Sequence, residues 1–368
     1  MIWARIQPLS FCPSPSMMSI SVPPGVAPLN NSEEPSEAQC HPGAQHVSLL
    51  VLLCLFHLMG LFLNGFSLWV FTCRMSKWSA GTVLQFNLAV SDAIASPATP
   101  LLAVYLASES QWKFGSFACQ LNIALLCAHF YGSVFFLMLI SVHRYIAVVR
   151  FNRSSLMKRK DFVKKLCCGV WCFLLVLGLS FGFLLPVTTD DHKLCLSIHQ
   201  KNRTEAYIAI NFMLFILGFI VPLIVSLICY SCLATSVSRI NVSSSQGQSI
   251  KMKSLKMIGI CLIIFGLCFL PLNVVRTVLV VIKKYYPKKC ELLLRLETAY
   301  YASYILGGIN CCLDPFIYFF GSHNFKKTFR KSLRIIRVQQ DRENRTESET
   351  ASMDIKMKNY AVPFSGNA

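Results

Sequence analysis

Seven apolar stretches alternate with shorter polar stretches along the chain, and each exceeds the roughly 20 residues that a helix needs to cross a bilayer. Hydropathy and flanking charge place them at 47–73, 81–106, 117–149, 164–186, 205–236, 252–282 and 293–320. A membrane-spanning strand needs only about 10 residues, so these stretches are too long for a β-barrel. The pattern predicts an all-α membrane protein in which residues 47–321 form a seven-transmembrane helix bundle.

Basic residues orient the predicted bundle. The chain has 35 Lys and Arg against 17 Asp and Glu, a net charge of +18, and the basic residues cluster at 150–164 and 322–337. The positive-inside rule assigns both clusters to the cytoplasm, so the sequence predicts a multi-pass plasma membrane protein with an extracellular N-terminus. The basic residues flank apolar spans and form no aromatic-interleaved platform, so no nucleic-acid partner is predicted.

A second periodic pattern follows the seventh segment. Phe325, Phe329 and Leu333 recur every four residues, and basic residues occupy the opposite side. The spacing predicts a short amphipathic helix over 322–336 that lies on the anionic lipids of the inner leaflet.

The two ends of the chain have the composition of disordered segments. Residues 1–46 are rich in Pro and Ser and are predicted to form a disordered extracellular N-terminus. Residues 337–368 carry Ser and Thr among acidic residues, which predicts a disordered cytoplasmic tail open to phosphorylation. Glycosylation sequons begin at Asn30 and Asn202, both on the predicted outer side.

Most of the 17 cysteines fall within the apolar segments, where they are expected to behave as small buried hydrophobic residues. Cys40, Cys119, Cys195 and Cys290 lie on the oxidising side, and three pairings among them are formally possible. Cys12 is left over in this scheme. The outer side shows no closely spaced Cys and His pairs, so no metal site is predicted.

Short motifs occur in order, one on each predicted segment. They are Asn64 in LFLNGFSLWVF, Asp92 in LAVSDA, His143-Arg144-Tyr145, Trp171, Pro222 with Tyr230, Cys268-Phe269-Leu270-Pro271, and Asp314-Pro315-Phe316-Ile317-Tyr318. Together they resemble the rhodopsin-like (class A) G-protein-coupled receptors over about residues 45–335. The stretch YGSVFFLMLISVHRY, the Phe in CFLP and the Asp in DPFIY resemble the purinergic branch, which includes nucleotide, carboxylate-metabolite and lipid-mediator receptors. A Cys40–Cys290 disulfide is also a feature of that branch.

Two carboxylates lie inside the predicted membrane region, where an unpaired charge costs a few kcal/mol. With Ser133 and Asn310, the residues Asp92 and Asp314 resemble the internal sodium pocket of the family. The resemblance therefore implies an allosteric sodium ion, and no other cofactor is predicted. The alternative is a hydrogen-bonded packing network without an ion.

The resemblance also implies a set of activation residues. They are His143, Arg144, Tyr145, Tyr230, Phe265, Phe269, Pro271 and Tyr318. Arg144 is expected to face the G protein when segment six swings outward, and Pro271 removes a helical hydrogen bond and acts as the hinge. His143 stands where relatives have an acid, so weaker restraint of Arg144 predicts basal activity. The alternative for Arg144 is that its side chain snorkels to the membrane interface. The alternative for Phe265 and Phe269 is that they are ordinary core residues.

Asn273 and Arg276 are the candidate ligand anchors because residues three apart share a helical face. Arg suits bidentate recognition of phosphate or carboxylate, which predicts an anionic ligand. Phe130, Tyr131 and Tyr304, with Leu126 and Tyr300, are expected to form the walls, and Arg295 with Lys283, Lys284, Lys288 and Lys289 a positive rim. The alternatives are snorkelling for Arg276 and lipid-headgroup contact for the lysines. No acid stands at Ile123, Leu126 or Cys127, which disfavours a cationic amine.

Other functional classes fit less well. A transporter of this size shows internal repeats with broken helices, and a retinal pigment needs a lysine in segment seven; neither feature occurs. No enzyme is predicted, because His57 and His129 have no evident nucleophile as a partner in the sequence. A non-signalling or constitutively active receptor stays open, because His143 and Phe151 alter the coupling surface. The expected partners are a heterotrimeric G protein, arrestin, a receptor kinase, membrane lipid and a small anionic extracellular ligand.

Overall fold

The computed structural model describes residues 47–108, 111–149, 155–184, 195, 204–239 and 245–360. Within them, seven helices are long and apolar enough to cross a membrane, which confirms the predicted bundle. These spans are α1 Val47–Arg74, α2 Ala80–Ala107, α3 Gly115–Val148, α4 Lys160–Ser180, α5 Tyr207–Ser238, α6 Lys251–Tyr285 and α7 Cys290–Gly321. An eighth helix, α8, covers His323–Tyr360.

Several spans depart from regular α-helix. Wider π-helical turns occur at Val70–Arg74 in α1, Leu214–Ile220 in α5 and Ile264–Phe269 in α6. The span α2 consists of Ala80–Ala93 and Ala98–Ala107, and α7 consists of Cys290–Gly308 and Asn310–Gly321. The α4 helix continues to Leu184, the α5 and α6 helices begin at Thr204 and Ser245, and a short 3₁₀ helix covers Leu156–Lys158. The π turn in α6 ends just before Pro271, so two helix-bending features adjoin at the predicted hinge.

The span α3 forms the centre of the bundle. It is the most completely buried span and packs against α2, α4 and α5, while α7 packs against α1 and α6. Large apolar side chains on α1, α4 and α5, such as Phe62, Val176 and Ile228, remain exposed. Exposed apolar side chains on helices that satisfy their own backbone hydrogen bonds are what a bundle in lipid requires.

One disulfide joins Cys119, in the first turns of α3, to Cys195, with 5.9 Å between the Cα atoms. It is one of the pairings that the sequence leaves open. Cys290, the first residue of α7, is also disulfide-bonded. Its predicted partner Cys40 lies outside the described residues, and so do the sequons at Asn30 and Asn202.

The helix after α7 is longer than the predicted 322–336 helix and takes in most of the segment predicted as a disordered tail. Its first turns are anchored by Phe325, which is 1% exposed, and by Phe329. From Leu333 to Met353 every residue is exposed, so local interactions alone sustain this part. Neither Gly nor Pro interrupts the sequence, and an Arg345–Glu349 ion pair of 3.4 Å spans one turn.

Candidate functional site

A cavity lies between α2, α3, α6 and α7, and its volume is about 700 Å³ when the space open to solvent is included. Its lining residues are Leu102, Ile123, Leu126, Cys127, Phe130, Tyr131, Val134, Phe269, Leu272, Asn273, Arg276, Tyr300, Tyr301 and Tyr304. Five of the six predicted ligand-binding residues are among them: Phe130, Tyr131, Asn273, Arg276 and Tyr304. Apart from Arg276, no lining residue is charged, so the cavity is aromatic and apolar around a single cation.

Two neutral oxygen atoms hold the Arg276 guanidinium in place. Nη2 donates to the Tyr131 hydroxyl at 2.6 Å and to Oδ1 of Asn273 at 3.2 Å. The guanidinium carbon lies 5.8 Å from the centre of the Tyr131 ring, within the range of a cation–π contact. Nε is buried without a hydrogen-bond partner, and within the described residues no carboxylate lies in ion-pair distance of Arg276. The side chain therefore has unused capacity to donate to an anion.

Asn273 is held in turn by its own helix. Its Nδ2 donates to the Phe269 carbonyl at 2.9 Å, which leaves Oδ1 to accept from Arg276. The motifs predict Phe269 only as an activation residue, but it also lines the cavity. Its ring centre lies 6.1 Å from that of Phe265, so one aromatic pair connects the cavity to the π turn of α6.

The structure corrects the assignment of Arg295 as a ligand-binding residue. Arg295 does not line the cavity; its side chain is 77% exposed and pairs with Glu291 at 2.6 Å. Both side chains are exposed one helical turn apart on α7, and their spacing of four residues was the available sequence signal for the pair. Lys284 also has an acidic partner, Glu205 at 2.9 Å, so the predicted positive rim is partly neutralised.

Below the cavity, the predicted polar network comes together between α2, α3 and α7. The Ser133 hydroxyl lies 3.0 Å from Oδ1 of Asp92 and donates to it. Oδ2 of Asp92, both carboxylate oxygens of Asp314 and both amide atoms of Asn310 are buried without a hydrogen-bond partner. So many unsatisfied polar atoms around two buried carboxylates fit the presence of a cation or water.

Two residues that the sequence does not connect also lie at this network. The imidazole of His129 approaches Asp92, with Nδ1 to Oδ1 at 3.8 Å, and its Nε2 lies 3.6 Å from Sγ of Cys311. His129 lies four residues before Ser133 on α3, so the two side chains share a helical face. This spacing is the sequence signal that could have placed His129 at the network. Cys311 directly follows Asn310, and no sequence signal distinguishes it from the other cysteines in the spans.

At the C-terminal end of α3, Arg144 donates a hydrogen bond to the carbonyl oxygen of Gly321 at the end of α7. Within the described part of the chain, no carboxylate pairs with Arg144. Its neighbour His143 packs against Gly81 of α2 so closely that a Cβ there would lie 2.9 Å from Cε1 of the imidazole. Tyr145 is half-buried. At position 143 a packing contact thus stands in place of an acid, and Arg144 is held by a neutral carbonyl.

The remaining predicted activation residues lie in the same half of the bundle as Arg144. The Ser141 hydroxyl donates to the Tyr230 hydroxyl at 2.5 Å, which joins α3 to α5. Tyr318 donates to Oδ1 of Asn64 at 3.4 Å, and its ring packs edge-on against Phe71 and Phe325. These contacts join α7 to α1 and to the first turn of α8.

A family model of the rhodopsin-family seven-transmembrane receptors matches residues 63–318, most of the bundle described above. The chain belongs to this receptor family. It is 35% identical to human P₂Y purinoceptor 2 over 269 residues, 71% of this chain and 69% of that protein. It is 31% identical to rat P₂Y purinoceptor 4 over 284 residues, 75% and 76% of the two chains. With human cysteinyl leukotriene receptor 1 it shares 29% identity over 304 residues, 80% and 90% of the chains.

These relatives confirm the purinergic branch and the receptor class that the motifs indicate. The protein is a multi-pass plasma membrane receptor of the signalling type, and not an enzyme. The geometry agrees with that role, because the cavity lies beside a helix, α6, that carries a π turn and Pro271.

Proposed function

We propose that this receptor binds a small anionic extracellular ligand in the cavity lined by Arg276 and responds by activating a heterotrimeric G protein. The observation that carries the proposal is Arg276 itself: a half-buried cation in an otherwise uncharged cavity, with no carboxylate partner among the described residues. Burying an unpaired charge is costly, so a bound phosphate or carboxylate would supply the missing counter-charge.

The cavity supports this ligand class in two further ways. Tyr131 and Asn273 hold the planar guanidinium in one orientation, which reduces the entropy lost when it forms paired hydrogen bonds to an anion. The aromatic walls suit either a nucleobase or the apolar chain of a lipid mediator. The relatives are named as a purinoceptor and a cysteinyl leukotriene receptor, and nucleotides and leukotrienes are both anionic.

The proposed response follows from the position of Phe269. A ligand that contacts Arg276 and Phe269 binds α6 on both sides of the bend at Pro271. Preference of the ligand for the bundle with α6 swung outward would shift a pre-existing equilibrium toward that state. Release of Arg144 from the Gly321 carbonyl would then open the cytoplasmic surface to the G protein. The proposal includes an extracellular N-terminus. Phosphorylation of the tail by a receptor kinase would afterwards favour the binding of arrestin.

A sodium ion is the second part of the proposal. Asp92, Ser133, Asn310 and Asp314 are buried together, and most of their polar atoms lack hydrogen-bond partners. A bound cation would neutralise part of the charge of the two buried carboxylates. We therefore assign the network an allosteric role, in which sodium stabilises the arrangement that the structure shows.

A signalling screen tests the ligand assignment. Cells that express the receptor are exposed to nucleotides, dicarboxylates, cysteinyl leukotrienes and oxidised fatty acids, and G-protein activation is recorded. For any active anion, Arg276→Ala is expected to raise the half-maximal concentration roughly 10- to 100-fold, the range for losing charge-assisted hydrogen bonds. Arg295→Ala is the matched control, because it removes the same charge from an exposed position outside the cavity.

Surface expression of each variant is measured in parallel, so that a folding defect is not read as a binding defect. An active anion whose potency is the same on wild type and Arg276→Ala contradicts the anchor assignment and leaves the family assignment intact. Equal losses in Arg276→Ala and Arg295→Ala would indicate a general electrostatic effect of the outer surface instead.

A further inference from the structure

Basic side chains from two different helices lie beside the last turns of α7. Lys253 and Lys256 belong to the first turns of the α6 span, and Lys326 and Arg330 belong to the first turns of α8. Lys326 is half-buried and the other three side chains are exposed. These four residues are called the α6–α8 cluster below. About 70 residues separate its two halves in the sequence, so only the folded bundle brings them together.

Two neighbouring aromatic rings at the end of α7 hold the cluster together. Phe319 and Phe320 pack edge-on with ring centres 5.6 Å apart. Nζ of Lys326 lies 5.0 Å from the centre of the Phe319 ring, and Cζ of Arg330 lies 5.5 Å from it. Nζ of Lys256 lies 5.3 Å from the centre of the Phe320 ring. Cations from α6 and from α8 are therefore both in cation–π contact with one aromatic pair.

No acid offsets the charge of the cluster within the described residues. None of the ion pairs there includes a member of the cluster. No Asp or Glu occurs in residues 251–285 or 315–340. Partial burial lowers the pKa of the Lys326 ammonium, and the positive charges of the other three members lower it further. The two helices therefore repel each other through these side chains, and an anion bound between them would remove that repulsion.

The distribution of charge suits a ligand with several phosphate groups. A single phosphate is too small to contact cations on two separate rings, whereas a ring that carries several phosphates can contact cations on both. Arg330 can bind one phosphate through two parallel N–H donors, and the lysines contact others as point charges. Inositol phosphates have this chemistry, either as free molecules or as the headgroups of phosphoinositide lipids.

We propose that Lys253, Lys256, Lys326 and Arg330 form a site for a multiply phosphorylated inositol group, which bridges α6 and α8 across the end of α7. Lys256 lies about 20 Å along α6 from the bend at Pro271. A bridge at this distance from the bend opposes outward movement of α6 and stabilises the arrangement described above. Binding at the site is independent of the proposed function, but its effect on signalling rests on that function.

Thermal unfolding of the purified full-length receptor in detergent tests binding, with inositol hexakisphosphate as the probe at constant salt. The melting temperature is expected to rise with the probe. The double variant Lys256→Gln/Lys326→Gln removes one charge from each helix and is expected to raise the half-maximal concentration roughly tenfold. Lys327→Gln/Lys331→Gln is the matched control, because it removes two charges from exposed positions of α8 outside the cluster. The melting temperature without the probe shows whether each variant is folded.

Nanodiscs distinguish the two sources of the phosphorylated group. The receptor is placed in bilayers that contain either phosphatidylinositol bisphosphate or phosphatidylserine at equal total negative charge. A higher melting temperature and lower ligand-free G-protein activation with the phosphoinositide, both lost in Lys256→Gln/Lys326→Gln, assign the site to the lipid headgroup. A response to inositol hexakisphosphate with no preference between the lipids assigns it to a free inositol phosphate instead. In that case the soluble probe is expected to lower ligand-free activation in the phosphatidylserine discs.

Three results overturn the proposal. The first is a wild-type receptor whose melting temperature responds to neither the soluble probe nor the phosphoinositide. The second is an equal loss in the two double variants, because binding would then follow the overall charge of the surface. The third is binding that leaves ligand-free activation unchanged, which contradicts the bridge between α6 and α8. A receptor that activates no G protein under any condition contradicts the proposed function instead, and the melting temperatures still decide whether the site exists.

Discussion

Arg276 is positioned by groups that carry no charge, and the hydroxyl of Tyr131 is the nearer of its two acceptors. Tyr131→Phe removes that acceptor and leaves a buried guanidinium N–H unsatisfied. We expect a loss of about 1–3 kcal/mol in unfolding free energy, the usual penalty for an unsatisfied buried polar group. Thermal or denaturant unfolding of the purified receptor measures it. Tyr300→Phe, in the same cavity but not bonded to Arg276, is the control; an equal loss there would show that the bond to Arg276 is not the cause.

We expect the residue at position 143 to influence how firmly Arg144 is held at the end of α7. In His143→Asp, a carboxylate would stand beside the guanidinium and restrain it by an ion pair. Ligand-free G-protein activation is therefore expected to fall about twofold to fivefold, as a pair worth up to 1 kcal/mol allows. His143→Asn, which has a similar shape without the charge, is expected to leave basal activity near the wild-type level. Basal signalling that is undiminished in His143→Asp would refute the restraint argument.

At the scale of elements, α8 depends on the contacts of its first two turns. Phe325 is buried between Phe71 of α1 and Tyr318 of α7, with the Phe71 ring 4.6 Å away. Phe325→Ala is expected to cost about 3–5 kcal/mol, as for other buried Phe side chains. Leu333→Ala, on the same face but 46% exposed, is expected to change stability by less than about 0.5 kcal/mol. Comparison of their melting temperatures checks whether the anchor ends before Leu333.

At the scale of the whole bundle, the proposed sodium site would make stability depend on the ions in solution. Replacing NaCl with choline chloride is expected to lower the melting temperature and to raise basal signalling, because sodium would stabilise the inactive arrangement. Asp92→Asn is expected to abolish both effects. Cys312→Ser is expected to keep them, since its thiol donates to the Phe56 carbonyl and lies outside the network. A melting temperature that is independent of sodium in wild type would favour the hydrogen-bonded network without an ion.

The sequence predicts some helices of this protein more accurately than others. Long apolar stretches identify all seven spans to within a few residues, because a bilayer imposes a minimum length on every helix. The amphipathic pattern predicts that α8 ends at 336, yet the helix continues to Tyr360. Polar composition distinguishes an exposed segment from a buried one, but an exposed helix held by local interactions such as Arg345–Glu349 has the same composition as a disordered tail.

The sequence by itself determined the membrane class, the seven spans and the family, since hydropathy and motif order are properties of the linear chain. It also identified Arg276 and Asn273 as neighbours, because residues three apart share a helical face. Only the tertiary structure decided that Arg295 lies outside the cavity and that His129 meets Asp92 and Cys311. Those relations depend on how separate helices rotate and pack, and side chains from three different spans carry no signal of their proximity in a single sequence.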